Sequence, residues 1–200
     1  IIPFELIYKT KLQAESDAIK EKENRLSEIA SELEEILESL SEEEKDSAIT
    51  NDDGSAFVAK EVDRLIKEAL LSVETDEIKC LNKYLELLDN KAKKPEKLAF
   101  IANNTSVNWN NIEANKDGTY GKTNINKYIK VLQSEFKFEE DTFESKLTAV
   151  SDLFAEEKTV KADLKVAIAE RDAKTIEIIE HLSDEEVYEK KKKKWIVPMV

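Results

Sequence analysis

The spacing of apolar residues predicts a long helix near the start of this chain. Over residues 9–46 an aliphatic residue recurs every seven positions, at Leu12, Ile19, Leu26, Leu33 and Leu40. Ile29 and Ile36 supply the second core position of the repeat, while Glu15 and Lys22 interrupt it. Such spacing places the apolar side chains on one side of a helix of about 35 residues, or about 50 Å.

A second heptad pattern predicts another long helix, over about residues 140–182, near the opposite end. Its two core positions are occupied by Phe143, Val150, Leu164 and Ile178, and by Leu147, Phe154, Ile168 and Leu182. Four residues interrupt this pattern, namely Glu157, Lys161, Arg171 and Thr175. A short helix follows, for which Ser183 and Glu186 have capping-box spacing.

A helix with a single apolar face needs a partner for that face, because it is not stable alone in water. The simplest prediction is that the two long helices pair with each other, in an orientation that the pattern leaves open. The fold class is therefore mainly α, with the two helices forming a coiled-coil-like hairpin around a small helical insert. The expected pairing seam consists of Leu26, Ile29, Leu33, Ile36, Leu40, Leu147, Val150, Leu164 and Ile168.

The chain divides into four predicted segments: residues 1–8, 9–46, 47–140 and 141–200. The first is an extended lead-in or strand from a preceding domain, and the second and fourth contain the long helices. Within the insert we predict turns at 51–54 and 115–121 and helices at 58–71, 76–90 and 123–138. Another element begins near Pro95, and an asparagine-rich loop carries Trp109. No internal repeat is evident, and the start at Ile1 indicates an excised fragment.

Composition supports long helices and narrows the possible partners. Charged residues make up 38% of the 200 residues, against about 25% in ordinary globular domains. The net charge of −13 repels phosphate, so the chain as a whole is poorly suited to binding nucleic acid. No apolar run approaches the roughly 20 residues of a membrane span, and there is no signal peptide. We expect a cytoplasmic protein with no membrane contact.

Five features that resemble catalytic or ligand sites are better explained structurally. Gly121-Lys122-Thr123 lacks the earlier glycine of a phosphate-binding loop, and the Asn51 turn lacks the final glutamate of a calcium loop. His181 is expected to meet carbonyl groups at a helix end or solvent. Cys80, the only cysteine, is expected in the core. The acidic run over residues 28–46 is typical of a solvated helix face.

A lysine run near the end of the chain is the strongest candidate for direct contact with DNA or a partner. It consists of Lys190, Lys191, Lys192, Lys193 and Lys194, followed by Trp195. Five lysines beside an aromatic side chain are suited to a phosphate backbone. They are equally suited to an acidic helix surface, including this chain's own, or to a solvated helix end.

Several stretches resemble the helical region that follows the catalytic domain in type I restriction–modification methyltransferase subunits. They are residues 25–40 (RLSEIASELEEILESL), 51–61 (NDDGSAFVAKE) and 175–187 (TIEIIEHLSDEEV), with a closing Lys194-Trp195-Ile196. The resemblance implies a parent enzyme that methylates adenine N6 in DNA with S-adenosylmethionine. The Gly-rich cofactor loop and the Asn-Pro-Pro-Phe/Tyr motif of that family do not occur here, so no catalytic, cofactor or metal residue carries over.

The resemblance also implies a role and a partner. In that family this region is an assembly arm that docks onto the specificity subunit, so DNA is contacted only indirectly through the complex. Two alternatives remain open at this point. One is a helical module that contacts DNA through the lysine run, and the other is a generic coiled-coil scaffold.

Overall fold

The computed structural model describes residues 3–45 and 49–181, and helices dominate this part of the chain. The helices are α1 (Phe4–Lys11), α2 (Gln13–Glu38), α3 (Glu42–Lys45), α4 (Ala59–Leu71), α5 (Asp76–Asp89), α6 (Lys94–Asn103), α7 (Lys122–Ser134) and α8 (Phe143–Glu180). Extended pairing within the described ranges is limited to two isolated β-bridges, Thr50–Phe57 and Ala114–Tyr120. The mainly α prediction is therefore confirmed.

The chain forms two compact units. Among the described residues, the first comprises residues 3–45, 49–57 and 149–181, and it contains α1 to α3 together with most of α8. The second comprises residues 58–148 and contains α4 to α7. Helices α4 to α7 fall between residues 47 and 140, the bounds predicted for the insert.

The prediction of an extended lead-in over residues 1–8 is wrong for the described residues, because α1 begins at Phe4. Pro3 precedes this helix with extended backbone, a place where proline's missing N–H leaves no helical hydrogen bond unmade. The helix forms because it has an apolar face to bury. Ile7 is fully buried and packs in one cluster with Leu12, Ile178 and Ile179.

The first long helix is shorter than the predicted 9–46, because the chain leaves helical geometry at Leu12 and again after Glu38. Leu12 adopts φ −127° and ψ 41° between α1 and α2, and burial of its side chain stabilises this break. Ser41 and Glu44 have the spacing of a capping box in the sequence, and a capping box starts α3. The Ser41 amide donates to the Glu44 carboxylate at 2.7 Å, and the Glu44 amide donates to the Ser41 hydroxyl at 3.3 Å.

The second long helix matches its prediction, since α8 is continuous over 38 residues. The Thr142 hydroxyl accepts a hydrogen bond from the Ser145 amide at 3.2 Å and so caps its first turn. The predicted short helix after Ser183 lies outside the described residues.

The second unit has an aromatic core. Tyr84 is fully buried, with its ring centroid 5.4 Å from that of Trp109 and 5.8 Å from that of Phe100. Trp109 stacks on Tyr120 at 5.1 Å. The helices agree with the predicted ones except that α7 ends at Ser134, before the predicted residue 138. Phe136 and Phe138 instead pack edge to face at 5.3 Å in the segment that follows.

The same turn motif occurs twice in the structure. The sequence patterns did not predict this repetition. Asp53 accepts hydrogen bonds from the amide and hydroxyl of Ser55, and Asp117 does the same for Thr119. Each turn has the sequence Asn-x-Asp-Gly-Ser/Thr, contains a glycine with positive φ, and closes a β-bridge. Each also leads into a helix of 13 residues, α4 or α7.

Candidate functional site

The most distinctive arrangement in the first unit is the pairing of α2 with α8. Arg25 of α2 binds Glu156 of α8 through two parallel hydrogen bonds, Nε–Oε1 at 2.6 Å and Nη2–Oε2 at 2.8 Å. The same guanidinium reaches Glu32 at 2.6 Å and Glu28 at 3.2 Å. These carboxylates raise the pKa of Arg25, Glu156 most strongly, and Arg25 lowers the pKa of Glu156.

A second ion pair fixes the direction of the two helices. Lys174 Nζ lies 2.9 Å from Glu15 Oε1, and this hydrogen bond lowers the pKa of Glu15 and raises that of Lys174. Glu15 precedes Arg25 in the chain, whereas its partner Lys174 follows Glu156. The two helices therefore run antiparallel, which answers the question of orientation that the heptad pattern left open.

Helix α1 binds the far end of α8 through a tyrosine. The Tyr8 hydroxyl donates to Asp172 Oδ1 at 2.7 Å, and the Arg171 guanidinium lies 3.8 Å from the centre of the Tyr8 ring. Desolvation, followed by the hydrogen bond to Asp172, raises the pKa of Tyr8. A cation above an aromatic face is a favourable contact, so α1 is held by polar as well as apolar contacts.

Residues that interrupt the heptad pattern make several of these contacts. Glu15 pairs with Lys174, and Arg171 covers Tyr8. Thr175 is fully buried and donates to the Arg171 carbonyl oxygen at 2.8 Å. In the sequence, the signal for these contacts was a charged or polar residue at a position where the heptad pattern requires an apolar one.

The predicted seam residues differ in burial. Ile29, Leu40, Leu147 and Val150 are buried, whereas Leu26, Leu33, Ile36, Leu164 and Ile168 are partly exposed. Ile19 and Leu37 are buried in α2 as well, although neither belongs to the predicted seam. The closely packed α2 and α8 thus leave some apolar side chains only half covered.

One of these half-covered side chains, Leu33, lines a groove in the first unit. The groove has a volume of about 380 Å³ and is lined by Ala30, Leu33, Glu34, Leu37, Ser55, Ala56, Phe57 and Phe154. The four α2 residues have spacings of three, four and seven, which place them on one face of the helix. The turn beginning at Asn51 brings Phe57 to the same place, a long-range consequence that no local pattern predicted.

The surface beside the groove is acidic. Glu34 lines it, is exposed, and makes no ion pair within the described ranges. Glu38, one helical turn further on, is also exposed. The acidic run predicted as a solvated helix face thus borders an apolar groove.

The other candidate residues make contacts that stabilise the fold. His181 Nδ1 lies 2.8 Å from the Glu177 carbonyl oxygen at the end of α8, as predicted. Cys80 lies in the apolar core of the second unit, and burial raises the pKa of its thiol. Gly121 is the N-cap of α7, and Lys122 binds Asp89 at 2.8 Å. Among the described residues, no group of three or more His, Cys, Asp or Glu is placed to hold a metal ion.

The lysine run of residues 190–194 and Trp195 lie outside the described residues. No helix within residues 3–45 and 49–181 has the length and apolar character needed to cross a membrane. Comparison with protein-family models, curated proteins and solved structures finds no match to this chain.

Proposed function

We propose that this chain is a helical assembly module that binds another protein through the groove beside α2. The observation that carries the proposal is the set of half-covered apolar side chains, Leu33, Phe57 and Phe154, that meet in this groove. An amphipathic helix binds such a groove by inserting side chains spaced three and four residues apart.

The walls of the groove are held in place by polar contacts. The bidentate Arg25–Glu156 pair and the Lys174–Glu15 pair connect α2 to α8 at two levels. A binding surface that is ordered before its partner arrives costs less entropy on binding. The coiled-coil-like hairpin is, in this proposal, the rigid element that presents the groove.

Charge selects the kind of helix that binds. Glu34 and Glu38 are exposed beside the groove, and the chain carries a net charge of −13. A partner helix with lysine or arginine flanking its apolar stripe is therefore favoured, because opposite charges speed encounter and disfavour acidic competitors.

The resemblance in the two ends of the chain gives this partner an identity. We assign the module to a type I restriction–modification N6-adenine methyltransferase subunit, in which it binds the specificity subunit and meets DNA only through the complex. S-adenosylmethionine binds, in this assignment, to the catalytic domain of the parent and not to this module. Calorimetric binding of S-adenosylmethionine by this chain would contradict the assignment.

Co-purification with a type I specificity subunit tests the proposal. Leu33→Asp places a charge in the groove, and Ile168→Asp places one on the face of α8 predicted to pair with α2. The unaltered chain should co-purify, and both variants should lose the complex. Ala18→Asp is the matched control, since Ala18 is exposed on α2 away from the groove. Circular dichroism of each variant separates loss of binding from loss of helix.

The DNA-contacting alternative makes a different prediction. If the lysine run binds duplex DNA, the chain retards DNA in a gel at low salt, where phosphate binding is strongest. Reversing the charge of residues 190–194 then abolishes the retardation. Retardation without specificity-subunit binding would favour this alternative over the assembly module.

A further inference from the structure

Helix α8 has a second uncharged face that is not used in pairing with α2. Six positions with alternating spacings of three and four residues lie along it, at Thr159, Ala162, Val166, Ala169, Ala173 and Ile176. All six are exposed, Val166 at 55% and Ile176 at 50%. This is heptad spacing, and none of the six residues is charged.

This outer face lies opposite the face that the heptad prediction assigned to α2. Leu164 and Val166 are about 200° apart around the helix, at about 100° per residue. Leu164 is partly buried, whereas Val166 is exposed. The alanines on this face are explained by their high helix propensity. Valine and isoleucine have a lower helix propensity, because they are β-branched. Exposed β-branched residues at core positions of a heptad therefore indicate a surface that another helix covers.

Charged residues border the outer face in two rows of different sign. On one edge, an acidic residue comes directly after each second core position, at Asp163, Glu170 and Glu177. On the other edge, a lysine comes directly before a core position, at Lys158 and Lys165. Lys158, Lys165 and Asp163 form no ion pair with any described residue. These edge positions are the ones that set partner choice and orientation in coiled coils.

The two rows favour a second copy of this chain in parallel orientation. In a parallel pair each edge lysine faces the acidic residue five positions further along the other helix, so Lys158 meets the partner's Asp163 and Lys165 meets the partner's Glu170. An antiparallel pair would instead place the acidic rows against each other. The third pairing, Asp172 with Glu177, joins like charges, but Asp172 already accepts from Tyr8 and lies 3.3 Å from Arg171 Nη2.

We infer that two copies of this chain self-associate in parallel through the outer face of α8. This surface is separate from the groove beside α2, so the inference stands independently of the specificity subunit as a partner. A module with both surfaces joins two protomers while each retains its own groove.

Sedimentation equilibrium of the full chain tests the inference. The unaltered chain should show a monomer–dimer equilibrium, and Val166→Glu should weaken dimerisation at least tenfold by placing a charge in the core. Ala18→Glu, which adds the same charge at an exposed position of α2, should leave it unchanged. A chain that stays monomeric at its highest soluble concentration would overturn the inference.

Charge exchange and cross-linking test the orientation. Lys165→Glu should weaken the dimer, and combining it with Glu170→Lys should restore the affinity. In a Cys80→Ser background, Ile176→Cys should form a disulfide with its copy in a parallel dimer. Cross-linking of Ile176→Cys to Thr159→Cys in mixed samples, without the self-linked product, would show antiparallel pairing and overturn the proposed geometry.

Discussion

Arg25 and Glu156 are 131 residues apart in the chain, yet their side chains form two parallel hydrogen bonds of 2.6 and 2.8 Å. Arg25 also contacts Glu28 and Glu32 on its own helix. One guanidinium thus contacts three carboxylates, and its removal leaves these acidic groups close together without a cation. The contact is therefore a fixed point in the antiparallel packing of α2 and α8.

We expect Arg25→Gln to lower the stability of the first unit. The change should also cost more than Glu156→Gln, because Glu28 and Glu32 lose their cation only in the arginine variant. Urea denaturation followed by circular dichroism measures both, and the double variant should show a smaller loss than the sum of the two. Strict additivity would mean that the two side chains do not interact in solution.

Acid should weaken the packing of α2 and α8. The pKa values of Glu15 and Glu156 are lowered from 4.5 by Lys174 and Arg25. A carboxyl group with a lowered pKa in the folded state stabilises that state above its unfolded pKa, and this contribution is lost as the pH falls through the folded pKa. The stability difference between the unaltered chain and Glu156→Gln should therefore be constant near neutral pH and shrink below about pH 4.5. A difference independent of pH down to strong acid would contradict the ion pair.

Tyr84→Phe tests the core of the second unit. The Tyr84 hydroxyl accepts a hydrogen bond from the Tyr120 amide at 3.1 Å in a buried setting, and its loss leaves that amide unpaired. We expect a destabilisation of about 1–3 kcal/mol. Trp109 fluorescence in a Trp195→Phe background reports on this unit alone. Tyr128→Phe is the matched control, with a smaller expected effect, because its partners Asn111 and Glu77 are partly or fully exposed to water.

Gly118→Ala tests the repeated turn. Gly118 has φ +80°, a left-handed conformation that costs a residue with a Cβ atom about 1–2 kcal/mol. The added methyl group would meet only Leu98 Cδ2, at 3.7 Å, so the expected loss comes from the backbone. Gly121→Ala provides the comparison, since Gly121 has φ −86° and should tolerate alanine better. Equal losses in thermal denaturation would show that the left-handed turn is not the cause.

Local patterns predicted α4, α5, α7 and α8 well, because each has periodic apolar residues, whereas the segment of α1 was predicted as extended. Ser41 and Glu44 gave the capping box, and the Asn51 turn was identified from its residue types. The break at Leu12 was missed, because an apolar residue in correct heptad register gives no sign of non-helical backbone. It depends instead on packing with Ile178 and Ile179, which are distant in the chain.

The candidate site was harder to predict for the same reason. The sequence placed Leu33 in a seam between two helices, whereas in the structure it also lines an open groove with Phe57. That groove depends on how the turn after Asn51 returns to α2, which is a tertiary property. The outer face of α8 was present in the sequence as Val166 and Ile176, but a stronger apolar pattern on the opposite face concealed it.

The most direct test of the assembly module is a calorimetric titration of the specificity subunit with two tryptophan variants of this chain. Ala30→Trp fills the groove from an exposed position that lines it, while Ala18→Trp adds the same side chain elsewhere on α2. The account predicts that Ala18→Trp binds like the unaltered chain and that Ala30→Trp binds at least tenfold more weakly, with both variants fully helical. Equal affinities for all three chains, or no binding by any of them, would contradict it.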